Sequence, residues 1–186
     1  MGMPAQQTDW TAEMVRALPD DGNRYEVLDG VLFVSPAPSL SHQDVLGRLF
    51  VLISSYVRQH ALGWTFLSPA DIEFSPKRLV QPDLFVVPNT GQGKPRTWRE
   101  VKALLLTVEV RSPSTARLDR VEKRQVYQDE RVPEYWIVDQ DSRVVDRWTP
   151  GDLRPEVLEN VLEWQPKAGI PPLKIVLADL FNPDAD

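Results

Sequence analysis

Two apolar segments decide the fold: Gln81-Pro82-Asp83-Leu84-Phe85-Val86-Val87 and Leu104-Leu105-Leu106-Thr107-Val108-Glu109-Val110-Arg111. Apolar runs of this length are typical of strands that are buried on both faces of a sheet. An unpaired carboxylate in such a strand costs several kcal/mol, which is on the order of a domain's whole stability. Asp83 at the head of the first strand and Glu109 near the end of the second therefore indicate a metal site.

Length and composition limit the classes of protein that the chain can belong to. Its 186 residues, 42% of them apolar and 26% charged, are typical of one soluble globular domain. We therefore treat residues 1–186 as a single domain and expect residues 1–7 to be an untied terminus. Residues 45–57 are the longest apolar-rich stretch, but glycine, arginine and serine interrupt it, so neither a membrane span nor a signal peptide is predicted.

The cysteine count and the net charge limit the kinds of metal site and of binding partner that the chain can have. No cysteine is present, which excludes disulfides and thiolate metal sites and leaves oxygen ligands with hard cations. A cytoplasmic location is the default expectation. The net charge of −6 is unusual for a nucleic-acid-binding protein, although it leaves room for a local basic patch.

The hydrophobic pattern predicts an α/β fold with one mixed sheet flanked by helices, preceded by an N-terminal helix and a β-hairpin. The hairpin is predicted at residues 25–28 and 31–34, around Asp29-Gly30. Helices are predicted at residues 8–18, 41–60 and 116–130. Further strands are predicted at 64–67, 71–75, 83–87, 104–110, 134–138 and 144–148, followed by short strands and turns, with 177–181 packed back onto the domain.

Strand alternation places the acidic residues on defined faces. Thr107, Glu109 and Arg111 point the same way, so Arg111 is predicted to lie beside Glu109. Adjacent strands lie about 4.8 Å apart, so Asp83 and Glu109 can reach one cation if their strands pair in register. Mg²⁺ fits such a pair, because it takes one or two carboxylates and keeps several waters. The alternative is that Asp83 is a turn residue and Glu109 forms an ordinary ion pair.

The order of several motifs resembles a known family. Pro82-Asp83 followed by Glu109-Val110-Arg111 resembles the PD-(D/E)XK nuclease superfamily, with Arg111 where that superfamily usually has lysine. Additional landmarks, in chain order, are residues 24–30, Pro38-Ser39, His42-Gln43, residues 111–115, Asp119, Lys123, Tyr127 and residues 132–139. The whole set, over about residues 20 to 181, resembles the Uma-two family of restriction-type endonucleases.

This resemblance implies a restriction-endonuclease-like core and cleavage of DNA that depends on Mg²⁺ or Mn²⁺. Asp83 and Glu109 would be the metal-binding acids, and the carbonyl of Val110 would be a further ligand. Arg111 can stabilise transition-state charge, but a guanidinium cannot take up a proton. Lys123 on the next helix is therefore the candidate for the basic function. Nucleases of this architecture are often homodimers, so a homodimer or higher homo-oligomer is expected.

Other polar residues are secondary candidates. Asp119 and Tyr127 lie four residues before and after Lys123, which predicts one polar stripe on a helix; the alternative is a solvent-facing ion pair of Asp119 with Lys123. Glu26, His42 and Glu73 can be site residues or, alternatively, ordinary exposed side chains. The basic run of residues 94–102 can contact phosphate or form a solvated loop.

Three functions are consistent with these residues. The first is a Mg²⁺-dependent endonuclease acting on DNA. The second is a catalytically degenerate module of the same fold that binds nucleic acid or oligomerises, which the acidic charge and Arg111 favour. The third is an unrelated metal-dependent hydrolase, because two carboxylates and a lysine do not name a substrate.

Overall fold

The computed structural model of the protein describes residues 9–112 and 115–182. In chain order its elements are α1 (Ala12–Arg16), β1 (Arg24–Leu28), β2 (Val31–Ser35), α2 (Leu40–Gln59), β3 (Gly63–Leu67), β4 (Ile72–Ser75), β5 (Arg78–Val80), β6 (Leu84–Pro88), β7 (Leu106–Val110), α3 (Arg124–Asp129), β8 (Tyr135–Asp139), β9 (Val144–Trp148), β10 (Glu156–Leu158), β11 (Val161–Trp164), β12 (Leu173–Val176) and α4 (Leu177–Leu180).

The N-terminal helix and hairpin form where the sequence predicts them, with one correction. Helix α1 is shorter than the predicted 8–18, because Thr11 caps it by accepting a bond from the Met14 N–H at 3.3 Å. Thr8 and the predicted untied terminus 1–7 lie outside the described residues. Asp29 and Gly30 have φ values of 50° and 82°, as a tight turn that matches the strand twist requires.

The hairpin belongs to a small antiparallel sheet. Its strand order is β2-β1-β5-β4, so β5 joins the hairpin to β4. Strand β5 was not predicted, because a strand of three residues carries too little pattern to be recognised. This sheet brings the N-terminal end of β1 close to the start of β6, where Arg24 donates to Asp83.

The central sheet is mixed, as predicted. Its order is β10-β9-β8-β7-β6-β3, and only β7 and β8 run parallel. Helix α2 covers one face, where Leu49 and Ile53 pack with Val86 and Val108 in the larger hydrophobic core. Phe85, Tyr127 and Ile137 belong to a second core on the other face, together with residues of the small sheet.

The crossover between β7 and β8 differs from the single α-helix predicted at 116–130. Residues Leu118–Lys123 form a π-helical stretch that runs directly into α3. Asp119 and Lys123 within this stretch and Tyr127 after it are all buried. Single π-helical turns are frequently found at functional sites.

The C-terminal part closes the larger core. Strands β11 and β12 form a separate two-stranded sheet, and α4 packs back onto the domain, as predicted for 177–181. Across residues 9–112 and 115–182, no helix has the length and apolar character needed to cross a membrane.

Candidate active site

The register of β6 with β7 brings the two predicted acids together. Leu84 pairs with Val108 and Phe85 with Thr107, so the same register continued by one residue sets Asp83 opposite Glu109. Both side chains line a cavity of about 220 Å³ at this end of the strands. Its other charged lining residues are Arg24, Glu26, Asp119 and Lys123, and His42 also lines it.

Asp83 is held by three hydrogen-bond donors. Arg24 Nη1 donates to its Oδ1 at 2.6 Å, while His42 Nε2 and the Val110 N–H donate to its Oδ2 at 2.9 and 2.8 Å. Burial alone would raise the pKa of Asp83, but the His42 hydrogen bond and the Arg24 charge outweigh it and hold that pKa below its ordinary value. Asp83 is therefore ionised, and His42 Nε2 must carry the proton that it shares.

Lys123 lies buried between two acids. Its Nζ is 2.8 Å from Glu109 Oε1 and 2.9 Å from Glu26 Oε1. Burial would lower the pKa of Lys123, but the charges of Glu109 and Glu26 outweigh that effect and raise it above the ordinary range. Lys123 is 2% exposed, so the alternative of a solvent-facing pair with Asp119 does not hold.

Glu109 has one carboxylate oxygen held by the protein. Lys123 Nζ and the Tyr127 hydroxyl, the latter at 3.1 Å, both donate to Oε1, and neither bond uses Oε2. Burial raises the pKa of Glu109 well above its ordinary value, and the charge of Lys123 only partly opposes this. The ionised form of Glu109 therefore depends on the adjacent charge of Lys123.

Asp119 enters the cavity from the π-helical stretch. It is 2% exposed, and burial raises its pKa from 3.8 to about 6, against the opposing effects of the Lys123 charge and a hydrogen bond from Thr115. Glu26 enters from β1, where its Oε1 also accepts the Gln81 N–H at 2.7 Å, and it is 1% exposed. Both secondary candidates thus lie in the cavity, and so does His42.

The cavity is short of positive charge. Four carboxylates line it, whereas Arg24 and Lys123 are its only permanently charged cations among the described lining residues. Burial penalises the ionised acids, which is why the pKa values of Glu109 and Asp119 are raised. An additional divalent cation would match the two excess negative charges.

Two predictions of placement are corrected, and the basic run 94–102 agrees with its alternative of a solvated loop. Arg111 does not lie beside Glu109: its Nη1 donates to Asp139 Oδ2, at the end of the neighbouring strand β8. Glu73 lies outside the cavity and pairs with Arg16 at 2.6 Å on the surface. The basic residues Lys94, Arg96, Arg99 and Lys102 are exposed and line no part of the cavity.

Arg24 is the site residue that the sequence did not single out. It opens β1 and lies two residues before Glu26, so both side chains project from the same face of the hairpin. The sequence feature that could have drawn attention to Arg24 was its position at the start of the 24–30 landmark of the family resemblance. What the sequence does not reveal is that the small sheet packs this face against Asp83.

Comparison with solved structures defines the class of fold. A crystal structure of a "putative nuclease belonging to DUF820" from Anabaena variabilis ATCC 29413 matches with a TM-score of 0.73 at 18% sequence identity, over 92% of this chain and 97% of that chain. The mixed sheet between helices is therefore a nuclease-like fold.

The family model described as "Uma2: Putative restriction endonuclease" matches residues 12–178, and the chain belongs to this family. This confirms the resemblance given by the motifs and supports a nuclease function. No curated protein matches the chain.

Proposed function

We propose that the protein is a Mg²⁺- or Mn²⁺-dependent endonuclease that hydrolyses phosphodiester bonds in DNA. The observation that carries the proposal is the register that sets Asp83 opposite Glu109 in a cavity with two excess negative charges. The family assignment supports the same reaction.

The residues present fit a divalent cation. Asp83 and Glu109 would hold it, with the carbonyl of Val110 as the further ligand that the family resemblance implies. Among the described residues no three histidine or acidic side chains form a ready-made ligand cluster. A cation held by Asp83 and Glu109 would therefore keep several waters, as Mg²⁺ usually does in proteins. When bound, such an ion supplies a Lewis acid and lowers the pKa of a coordinated water.

The protein's own residues divide the remaining tasks. Lys123 is protonated, so it orients Glu109 and contributes positive charge rather than acting as a base. Arg24 and His42 fix the orientation of Asp83. Asp119, with a pKa of about 6, is able to exchange a proton near neutral pH. Arg111 is left out of this machinery because Asp139 binds its guanidinium.

The test is nicking of supercoiled plasmid DNA in Mg²⁺ or Mn²⁺. Asp83→Ala and Glu109→Ala should each abolish metal-dependent nicking while circular dichroism and size-exclusion profiles stay those of the wild type. Arg111→Ala is the matched control, since it removes the other charged group of the motif, and it should nick within a few-fold of the wild type. Retained cleavage in both acid variants would refute the mechanism.

A catalytically degenerate nucleic-acid-binding module is the second candidate. It is favoured by the occupation of both Asp83 oxygens by Arg24, His42 and the Val110 amide. Titration calorimetry with Mn²⁺ separates the two proposals, because binding heat that disappears in Asp83→Ala supports the endonuclease. Absence of both binding heat and nicking in the wild type supports the module.

A cytoplasmic location and a homodimer are further parts of the proposal. The absence of cysteine agrees with a reducing compartment. Light scattering of the full chain, in which a dimer would have about 42 kDa, twice the 21.2 kDa of one chain, tests the oligomeric state.

A further inference from the structure

The hydroxyl group of Tyr127 reaches the candidate site from behind the cavity wall. Tyr127 belongs to α3, is fully buried and does not line the cavity. Its hydroxyl nevertheless donates to Glu109 Oε1 at 3.1 Å, and Glu109 does line the cavity. Tyr127 therefore acts on the site through the position of the Glu109 carboxylate.

The packing around the Tyr127 ring fixes the position of this hydroxyl. The ring centroid lies 4.7 Å from that of Tyr135 and 6.5 Å from that of Phe74. All three rings belong to or pack against the second core. Protein cores are close-packed, so a ring in such surroundings has little freedom to shift. The core therefore holds the phenolic oxygen in place independently of its bond to Glu109.

A single donor would leave the Glu109 carboxylate poorly oriented. The terminal torsion of a glutamate side chain is broad and two-fold, so its two oxygens exchange places at little cost. Lys123 is shared between Glu109 and Glu26, and its long side chain ends in a point charge. The Tyr127 hydroxyl adds a second donor at the same oxygen, Oε1, and this second bond restricts the rotation.

These two bonds make the oxygens of Glu109 unequal. Oε1 accepts from Lys123 and Tyr127, whereas neither bond uses Oε2. A tyrosine hydroxyl and a lysine ammonium are donors at neutral pH, and donor hydrogens directed at an oxygen compete with a metal ion for its lone pairs. Oε2 is therefore the better of the two oxygens for a cation.

We propose that Tyr127 is a positioning residue: with Lys123 it holds Oε1 of Glu109 and so directs Oε2 to the place where a divalent cation would bind. The inference rests on the proposed function for the identity of the bound cation. Removal of a hydrogen-bond partner of a metal-binding side chain typically weakens metal affinity by about 10- to 100-fold.

The variant Tyr127→Phe removes the hydroxyl and keeps the ring. Titration calorimetry of the full chain with Mn²⁺ should give about 10- to 100-fold weaker binding than the wild type. Because the chain has a net charge of −6, some Mn²⁺ can bind elsewhere on its surface. The heat that remains in Asp83→Ala measures this background and is subtracted.

Tyr135→Phe is the matched control. Its ring is buried beside that of Tyr127, but its hydroxyl donates to the backbone carbonyl of Asp119 at 3.0 Å rather than to Glu109. Each variant thus loses one buried hydrogen bond in the same core. Tyr135→Phe should bind Mn²⁺ within a few-fold of the wild type, and urea unfolding without metal checks that both variants are folded.

The dependence of the nicking rate on Mn²⁺ concentration is a second measurement. Tyr127→Phe should need about 10-fold more Mn²⁺, or still more, to reach half of its maximal rate. At saturating Mn²⁺ its rate should return to within a few-fold of the wild type. A variant with general damage to the fold would instead lose rate at every concentration.

The outcomes separate this inference from the proposed function. Weaker Mn²⁺ binding in Tyr127→Phe but not in Tyr135→Phe supports the positioning role, and if the wild type nicks no DNA, only the nuclease is refuted. Wild-type affinity in Tyr127→Phe, or an equal loss in both variants, overturns the positioning role and leaves the nuclease standing. A wild type that binds Mn²⁺ no better than Asp83→Ala overturns both.

Discussion

The raised pKa of Asp119 predicts a specific pH dependence of stability. A carboxyl group whose pKa is 3.8 when unfolded and about 6 when folded binds its proton more tightly in the folded state. Its contribution to stability is fully present below pH 3.8 and is lost as the pH rises through about 6. The interval between these values corresponds to about 3 kcal/mol of unfolding free energy.

The variant Asp119→Asn removes this titration and keeps the size of the side chain. The unfolding free energy of the variant minus that of the wild type should rise by about 1.5 kcal/mol from about pH 5 to about pH 7.5. This is less than the full ~3 kcal/mol, because only part of the titration lies in this window. The hydrogen bond from Thr115 lowers the pKa of Asp119, so its effect on this titration is already contained in the value of about 6.

Urea unfolding followed by circular dichroism, at several pH values without divalent metal, measures the effect. Subtracting the wild type from the variant at each pH cancels, to first order, the titrations of Asp83 and Glu109. Glu122→Gln, on the same helical segment but outside the cavity, tests whether removal of any carboxyl group here changes the slope. Parallel profiles for the wild type and Asp119→Asn would mean that folding does not shift the pKa of Asp119, and the argument would fail.

Two other perturbations test the fold and the buried charges. Lys123→Met should lower the unfolding free energy by about 3–5 kcal/mol in urea at neutral pH, because it leaves Glu26 and Glu109 buried without their cation, and the loss should shrink in acid as these groups take up protons. An unchanged stability would contradict the pairing. Gly63→Ala should cost roughly 3 kcal/mol or more in thermal unfolding, because its Cβ would lie 1.9 Å from the Val87 carbonyl oxygen at a φ of 155°; Gly47→Ala, with open space, is the control.

The central elements of the fold were accessible to sequence reasoning because they carry long periodic signals. Helix α2 and strands β6 and β7 lie within one or two residues of their predicted bounds, and the turn at Asp29-Gly30 has the predicted geometry. The short strand β5 was not accessible, since it has only three residues and one of its two partner strands, β1, lies far from it in the chain. The π-helical stretch has no sequence signature that separates it from an α-helix.

The candidate site was predictable where strand geometry governs it and not where packing does. Asp83 and Glu109 follow from the pairing of two apolar strands, and alternation placed them on one face. The same alternation predicted that Arg111 lies beside Glu109, but Asp139 at the end of β8 binds its guanidinium instead. Arg24 depends on how the small sheet meets the central sheet, which no local pattern encodes.

Replacing an acid and replacing a cation in this cavity should change the stability of the protein in opposite directions, and this difference indicates whether the cavity serves folding or binding. Removing a buried acid such as Asp119 should stabilise the metal-free protein at neutral pH, whereas removing the cation Lys123 should destabilise it. A cluster that served folding alone would have its acids and cations balanced, and replacing any member would be costly. An excess of buried carboxylates instead lowers the stability of the domain, as is typical of residues retained for binding and chemistry. Under the proposed function, the same imbalance that weakens the fold would give the cavity its affinity for a divalent cation.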